Sequence, residues 1–400
     1  MRVAFVILLS LLCVQCAGHS QLSTEQKLQD FEFLHQTLKD NFPYFGVAKR
    51  QLGLDWLANK DEYRERIKKS TNDSTFLMSI NSIVNELQTP HLSVFTDAEW
   101  LLDSYRQATI RHPHLEKWVE VAEKSVKQST CWNSIWWNHL ESLGFSREQF
   151  ELQQEIQTQN FSGSSLVENK IAVMRFNSFM YDNAVNDSVY ISSFLEKIQS
   201  YKYLIIDIQD NTGGSEHYWR NHVVGRMIDD SIQFTRTQVG KGGTLNRHFF
   251  PNWFESATLA TRDNAIFPNL PCEILDGSYY ISSSTITIMP NDPIPFKGKI
   301  FLLVNEWVFS AADGFAQFCK ASEWATVVGV RSGGLGSGSE PTLIRLPNSG
   351  IIVRHPSVVG LNYDGSFNFE TKTVPDIEIV AENSEQRLER LVEYIKNRLR

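Results

Sequence analysis

Apolar residues recur at helical spacing through the N-terminal part of the chain. The stretch STEQKLQDFEFLHQTLKDNF opens with Ser23 and Gln26 at the spacing of a capping box, and continues with a helical stripe of Leu28, Phe31, Leu34 and Leu38. A second stretch, STFLMSINSIVNEL, carries Phe76, Ile80, Ile83 and Leu87 at the same spacing. These patterns predict an N-terminal helical domain over residues 20–90. A charged, Trp-rich segment follows, and for it we predict a helical connecting region over 91–168.

The pattern changes near residue 169, where short apolar runs rich in β-branched residues begin. They are KIAVMRF, KYLIIDI, KIFLLVN, ATVVGV and SGIIVRH, each of a length and composition typical of a buried strand. Helical patterns, DSVYISSFLEKIQS and SAADGFAQFCKA, lie between them. Strands that alternate with helices predict an α/β core with a largely buried sheet over residues 169–400.

Composition and charge narrow the range of partners. The chain has 400 residues, of which 42% are hydrophobic, and its formal net charge is −8 at pH 7. Nucleic-acid binding requires clustered cations, and no such cluster is visible. We therefore expect a globular protein that does not bind nucleic acid.

The first residues have the pattern of a secretory signal. Arg2 precedes an apolar run from Val3 to Ala17. This run is shorter than the about 20 residues of a membrane span, and it fits the apolar region of a signal peptide. The expectation is a signal peptide over 1–17 and a secreted or cell-envelope location, with membrane association only if Cys16 is lipidated.

The cysteines give no sign of a disulfide framework or a metal site. Only Cys131, Cys272 and Cys319 lie beyond the predicted signal, and none of them belongs to a CxxC pair. We expect no metal and no cofactor, and we expect Cys319 to be a core residue on the apolar side of its helix.

A glycine pair follows one of the predicted buried strands. In YLIIDIQDNTGGSE the strand runs into Gly213 and Gly214, which allow a tight turn and expose backbone N–H groups. Such groups can hold an oxyanion or a phosphate. The phosphate interpretation is weak because no Walker lysine and no GxGxxG motif are present, and a plain turn is the alternative.

Ser310 stands where another predicted strand, KIFLLV, gives way to a helix. With Asp313 three residues later, the spacing is that of a capping box, and Ala312, Phe315, Ala316 and Cys319 form the predicted buried stripe. Spacing alone favours a helix cap. A serine at a helix start also lies beside free backbone N–H groups, which suits a nucleophile whose oxyanion needs donors.

Four segments, in this order, resemble the core of the tail-specific, or C-terminal-processing, serine proteases: LIIDIQDNTGGSE, LLVNEWVFSAADGFA, VVGVRSGG and FETKTVPDIEI. That family also includes the tricorn protease core and the retinoid-binding repeats of the photoreceptor matrix. The resemblance spans residues 170–380 and extends more faintly to the N-terminal helices. It implies a ClpP/crotonase-like α/β core with a helical N-terminal domain.

The resemblance also implies a set of site residues. Ser310 would be the nucleophile, with the N–H of Ala311 and of Gly213 or Gly214 as oxyanion donors. One branch of the family uses a lysine base after the serine, but no lysine lies between Ala321 and Thr371.

The other branch uses a histidine and a glutamate, and His91 and Glu370 match those positions. Taken alone, Glu370 is expected to be an exposed glutamate on a loop between a predicted strand and a Pro-Asp turn. The chain departs from the family's DGH motif at Thr89 and Pro90, and His217 and His355 are competing bases.

The expected function is a serine-type endopeptidase that acts on peptides or proteins through an acyl-enzyme. The alternative is a catalytically inactive ligand- or peptide-binding protein on the same fold, because fold does not fix function. A different hydrolase is disfavoured, since Ser310 is flanked by Phe309 and Ala311 rather than by the glycines of an esterase elbow.

Overall fold

The computed structural model of the chain describes residues 21–128, 131–148 and 160–398. The predicted signal peptide over 1–17, with Cys16, lies outside the described residues. None of the helices within them combines the length and the apolar character that crossing a membrane requires. The described residues form two compact units, one made of 21–36, 55–128, 131–148 and 343–355, the other of 37–54, 160–342 and 356–398.

The first unit is mainly helical. Its helices are α1 (Thr24–Asn41, whose last residues belong to the second unit), α3 (Lys60–Lys68), α4 (Asp73–Asn85), α5 (Ala98–Thr109), α6 (Glu116–Gln128) and α7 (Cys131–Ser142). The capping box of α1 is present, because Ser23 N–H donates to Gln26 Oε1 and Gln26 N–H donates to Ser23 Oγ. The predicted stripe of α4, with Phe76, Ile80 and Ile83, is fully buried.

A small sheet completes the first unit. Its order is β1 (Ser93–Phe95), β11 (Ile352–His355) and β10 (Thr342–Arg345), and β1 pairs with β11 in antiparallel fashion. The Trp-rich segment packs within this unit, since Trp118 and Trp132 are buried and the indole N–H of Trp132 donates to Ser349 O at 2.8 Å. These aromatic residues therefore contribute to a core.

The second unit is built on a six-stranded sheet. The strand order is β13 (Ile377–Glu378), β9 (Thr326–Gly329), β8 (Lys299–Val304), β4 (Tyr203–Asp207), β3 (Ile171–Phe176) and β2 (Phe161–Val167). Neighbouring strands are parallel from β13 to β3, and only β2 runs antiparallel to its neighbour. The predicted α/β core is confirmed.

Both faces of this sheet are covered by helices, which explains why its inner strands are continuous apolar runs, whereas the edge strand β2 is mostly exposed. On one face Leu204, Ile206 and Leu302 pack with α8 (Tyr181–Ile198) and α13 (Ala311–Ser322). On the other face Ile205 and Phe301 pack with α15 (Ser384–Arg398). The predicted stripe of α13 is fully buried, including Cys319, and this buried face fixes how the start of α13 is held.

A second sheet in this unit was not predicted. Its order is β12 (Val358–Gly360), β5 (Ile232–Lys241), β7 (Tyr279–Ile288) and β6 (Thr258–Leu259). Strand β7 alternates buried and partly exposed residues over most of its length, and β5 carries polar residues such as Thr237 and Gln238 even where it is buried, so neither has the continuous apolar run of a central strand. Shorter helices complete the unit: α2 (Phe45–Leu52), α9 (Glu216–Tyr218), α10 (Gly225–Met227), α11 (Thr244–Phe249), α12 (Pro251–Ser256) and α14 (Asn368–Thr371).

The compact units differ from the three consecutive domains expected over 20–90, 91–168 and 169–400. Residues 37–54 lie in the α/β unit, and residues 343–355 lie in the helical unit, where Ile352–His355 pair with β1. The run SGIIVRH is therefore a strand, as predicted, but it belongs to the small sheet. A pairing between strands that are distant in sequence leaves no local signal. Domain bounds drawn from hydrophobic patterns along the chain therefore could not show that residues 37–54 belong to the α/β unit and residues 343–355 to the helical unit.

Candidate active site

The turn with Gly213 and the start of α13 lie at one edge of the central sheet. Strand β4 ends at Asp207 and runs parallel to β8, which ends at Val304. Since the carboxyl ends of parallel strands share an edge, the segments that follow them meet there. Phe309 N–H donates to Asn211 O at 3.2 Å, which ties the two segments together immediately before Ser310.

Ser310 has a strained backbone. Its φ of 53° and ψ of −124° lie in a region that non-glycine residues rarely occupy. It precedes α13 directly, yet its side chain makes no capping hydrogen bond, and its N–H donates to Gly334 O at 3.0 Å. The expectation of a serine helix cap is therefore wrong, because the hydroxyl is not used to satisfy the helix.

Gly213 lies directly against Ser310. A Cβ at Gly213 would come within 2.9 Å of Ser310 Cβ and 3.0 Å of Ala311 N, and the φ of Gly213 is +108°. Any larger residue would meet the serine and the backbone beside it. The glycine is thus required by backbone conformation and by close approach together.

The backbone N–H groups of Ala311, Gly213 and Gly214 differ in the partners that they have. Ala311 is the first residue of α13, so its N–H has no acceptor within the helix. The N–H of Gly213 donates to Asn211 Oδ1 at 2.9 Å. Gly214, with φ of +132°, pairs with Phe179, which fixes the direction of the turn. Of the two glycines, Gly214 has the N–H that is not committed to Asn211.

The segment RSGGLGSGSE, residues 331–340, packs beneath the start of α13. Residues 332–337 are buried, and the N–H of Gly336 donates to Asp313 Oδ2 at 3.1 Å and to Asn368 Oδ1 at 2.9 Å. Asp313 is fully buried, and burial raises the pKa of its carboxyl, with hydrogen bonds from Ser332 and Thr373 acting in the opposite direction. A segment so rich in Gly and Ser is typical of a mobile loop, but here it is a packed support of the segment that carries Ser310.

Glu370 lies in the short helix α14 rather than in the expected loop after a strand. Its two carboxylate oxygens accept hydrogen bonds from Nε and Nη2 of Arg50, both at 2.7 Å. Arg50 also pairs with Glu273 at 2.8 Å, and these bonds raise the pKa of the guanidinium. Glu370 is thus held in place from within its own unit.

His91 lies in the first unit, in the turn between α4 and β1. Leu92 N–H donates to Thr89 O at 2.9 Å, which places Pro90 at the second position of this turn, where proline is favoured. The side chain of His91 is half-buried, and burial together with the positive charge of Arg354 lowers its pKa to about 3. The imidazole is therefore neutral over the ordinary pH range.

The competing histidines have other surroundings. The imidazole of His217 lies 2.7 Å from Asn221 Nδ2, and its ring centroid is 5.5 Å from that of Tyr181. His355 is fully buried in β11 of the first unit. Within the described residues, no group of three or more His, Cys, Asp or Glu side chains is arranged to hold a metal ion.

Of the predicted site residues, Ser310, Ala311, Gly213 and Gly214 lie together in the second unit. Glu370 lies in the same unit, and His91 lies in the other. Two roles were not predicted from the sequence. Asp313 accepts a hydrogen bond from Gly336 in the segment 331–340, and Arg50 is the partner of Glu370. Asp313 had been assigned to a capping box, and no local signal connects Arg50 with a residue so far along the chain.

Comparison with known proteins gives the family of the chain and relatives of its fold. The model of peptidase family S41 matches residues 170–379. A putative peptidase from Parabacteroides merdae ATCC 43184 superposes with a TM-score of 0.57 at 17% identity, covering 94% of this chain and 97% of that one.

Mature CPAF superposes with a TM-score of 0.56 at 13% identity, covering 93% of this chain and 96% of that one. Mature CPAF complexed with lactacystin superposes with a TM-score of 0.57 at 12% identity, covering 94% of this chain and 97% of that one. At these identities the likeness shows the fold. No curated protein matches the chain by sequence.

Proposed function

Since the chain belongs to peptidase family S41, we propose that it is a serine endopeptidase in which Ser310 attacks the peptide carbonyl. Peptidase activity follows from the family. The identity of the nucleophile, its base and its orienting acid is our inference from the residues.

One observation carries the proposal: the hydroxyl of Ser310 sits on a strained backbone and makes no capping bond. A φ of 53° is costly for serine, and such strain is found where a surrounding structure holds a reactive group in place. The first N–H of α13 and the positive helix end lie beside it, which suits the negative charge that develops on the substrate oxygen.

The remaining roles follow from the chemistry that a serine needs. A hydroxyl is a weak nucleophile until a neighbouring base takes its proton. We assign that base to His91 and its orientation to Glu370, and the oxyanion donors to Ala311 and Gly214. The proposal requires the imidazole of His91 to reach the hydroxyl of Ser310. It also requires Glu370 to keep a free lone pair while bound to Arg50, and a carboxylate has about four acceptor sites.

The reaction then proceeds in two halves. The Oγ–carbon bond forms as the serine proton passes to His91, and the peptide C–N bond breaks as that proton passes to the leaving amine. A water molecule next gives a proton to His91 as its oxygen bonds to the acyl carbon, and the Oγ–carbon bond then breaks as His91 returns that proton to Oγ, which releases the acid and restores Ser310. Every proton is returned, so no co-reactant is needed.

We further infer a tail-specific type of peptidase that acts outside the cytoplasm on peptides or proteins. The four ordered motifs support the first inference, and the apolar N-terminal run after Arg2 supports the second.

A catalytically inactive binding protein is the second candidate. The bidentate bond between Arg50 and Glu370 favours it, because both oxygens of the carboxylate that the triad requires already accept a hydrogen bond. Thr89 and Pro90, which replace the family's Asp-Gly before the histidine, favour it as well.

Hydrolysis of an unstructured protein such as β-casein by wild-type enzyme and by Ser310→Ala tests the proposal. We expect hydrolysis by the wild type only, with both proteins showing the same thermal midpoint within a few degrees. Ser322→Ala, at the end of the same helix, serves as the matched control and should retain activity. Hydrolysis by Ser310→Ala at the wild-type rate would overturn the assignment of the nucleophile.

A further inference from the structure

A cavity of about 860 Å³ lies in the second unit. Its walls come from β5, from the second half of α13 and from the segments 361–366 and 371–374. Gln317 is the lining residue of α13 nearest in sequence to Ser310, and seven residues of helix span about 10 Å. The volume lies in the range of about 300–1,000 Å³ that is usual for small-molecule sites.

Cations dominate the charged groups of this cavity. Arg236, Lys320, Arg331 and Lys372 line it, against a single acidic residue, Asp364. Arg236 is paired with Glu216, and Lys320 is paired with Asp376. Among the described residues, neither Arg331 nor Lys372 forms an ion pair.

The two unpaired cations are held in place by other contacts. Arg331 donates one hydrogen bond to the carbonyl of Thr371 at 3.0 Å, which leaves the other guanidinium N–H groups for a ligand. The ammonium of Lys372 lies 4.2 Å from the centroid of the Phe369 ring. Burial lowers the pKa of Lys372, while the charge of Asp313 acts in the opposite direction, and a bound anion would further stabilise the charged form of Lys372.

The acidic residue is satisfied locally. Asp364 accepts hydrogen bonds from the backbone and hydroxyl of Ser366 and from the amide of Asn269 at 2.8 Å. These bonds offset its burial and lower its pKa. Asp364 thus needs no cation from a ligand. The cations of the cavity that form no ion pair therefore favour an anionic ligand.

The rest of the lining is apolar and aromatic. Phe234, Phe267, Leu361 and Val374 contribute to the walls, and the side chains of Ile266 and Tyr363 are 79% and 95% exposed. Large apolar side chains at such exposure gain free energy when a ligand covers them. The ligand therefore needs an apolar body as well as an anionic group.

We propose that this cavity binds a small monocarboxylate with an aromatic or branched apolar body. Its carboxylate bonds to Arg331 and Lys372, and its body packs between Phe267 and Tyr363. Arginine suits this role because its planar fork matches a carboxylate. The inference is independent of the hydrolytic role proposed for Ser310.

Isothermal titration of 1-naphthaleneacetate and of its neutral amide, 1-naphthaleneacetamide, tests the proposal. The titrations use full-length Ser310→Ala, so that their outcome does not depend on hydrolysis. We expect the carboxylate to bind at least about tenfold more tightly than the amide, as for a charge-assisted bond of about 1.4 kcal/mol. Equal binding of the two compounds, or no saturable binding of either, would overturn the proposal.

Variants identify the site. Arg331→Gln with Lys372→Gln should weaken binding of the carboxylate by at least about tenfold, whereas Lys297→Gln, an exposed lysine paired with Asp229 outside the cavity, should not. Ala321→Phe fills part of the cavity without changing a charge and should also abolish binding. Unchanged affinity for the carboxylate in the folded double variant and in the folded Ala321→Phe variant would exclude this cavity as its binding site.

A carboxylate can also arrive on a peptide. N-acetylphenylalanine and its amide, titrated in the same way, separate this source from a free small acid. A larger ratio of acid to amide affinity for the naphthalene compounds than for the acetylphenylalanine compounds supports a small-molecule ligand. Stronger discrimination within the acetylphenylalanine pair would show that the carboxylate belongs to a peptide, which contradicts the proposed ligand class.

Discussion

Gly213 and Ser310 are in contact across the carboxyl edge of the central sheet, with room between them for no side chain. A Cβ at Gly213 would lie 2.9 Å from Ser310 Cβ and 2.8 Å from Phe309 O. The glycine turn after β4 and the strained serine after β8 therefore form one unit of structure. Their separate sequence motifs have a joint physical cause, which is the close approach of two backbones.

Gly213→Ala should abolish hydrolysis and destabilise the protein. The new methyl group would displace Ser310 and Ala311, and alanine is strained at a φ of +108°. Gly277→Ala is the matched control, because Gly277 has a φ of +88° but nothing within 4 Å of a Cβ. Both variants should lose about 1 kcal/mol or more of unfolding free energy, measured in urea. Loss of activity in both, or in neither, would contradict the role of the contact.

Asp313→Asn should change how stability depends on pH. Burial raises the pKa of Asp313 in the folded state, so its stabilising contribution is complete below the unfolded pKa of about 3.9 and is lost as pH rises through the folded pKa. The asparagine can still accept the N–H of Gly336 and does not ionise. Urea unfolding between pH 4 and 8 should therefore show a smaller loss of stability with rising pH in Asp313→Asn than in the wild type. Parallel pH profiles would contradict this.

A double-mutant cycle measures what the bond between Arg50 and Glu370 contributes. The Arg50 side chain is 39% exposed and that of Glu370 is 19% exposed, so we expect a coupling of about 1 kcal/mol or less in unfolding free energy. Arg50→Gln, Glu370→Gln and the double variant complete the cycle.

The same variants distinguish a residue that orients the catalytic base from one that only holds Glu370 in place. If Glu370 orients the base, Glu370→Gln should lower kcat at least about a hundredfold, by analogy with other triads, while Arg50→Gln should lower it less. A Glu370→Gln variant with wild-type kcat would exclude Glu370 as the orienting acid and would require another orienting group.

The pH profile of kcat/KM tests His91 as the base. Burial and Arg354 lower the pKa of His91 to about 3, and a base must be neutral to accept the serine proton. We therefore expect the acid limb of the profile to lie well below the ordinary imidazole value of about 6.5. Arg354→Gln should move that limb to higher pH. An acid limb near 6.5 that Arg354→Gln does not move would point to a different histidine.

The central strands and the helices were predictable because their signals are local. The runs KYLIIDI and KIFLLVN are buried on both faces, and the stripes of α4 and α13 repeat with the helical period. Strands β5 and β7 gave no such signal, since they are only partly buried.

The candidate site was predictable only in part. Ser310 and the glycine turn could be identified from sequence order and residue type. Whether the serine caps its helix could not, because a φ of 53° depends on Gly334 and on a buried support at Asp313. The pairing of Arg50 with Glu370 joins residues far apart in the chain, and no periodicity indicates it.

Labelling with a fluorophosphonate probe, followed by mapping of the adduct, tests the central claim most directly. The account predicts a single modified residue, Ser310, in the wild-type protein and no adduct in Ser310→Ala or Gly213→Ala. Folded wild-type protein that does not react, or an adduct on a serine other than Ser310, would contradict it.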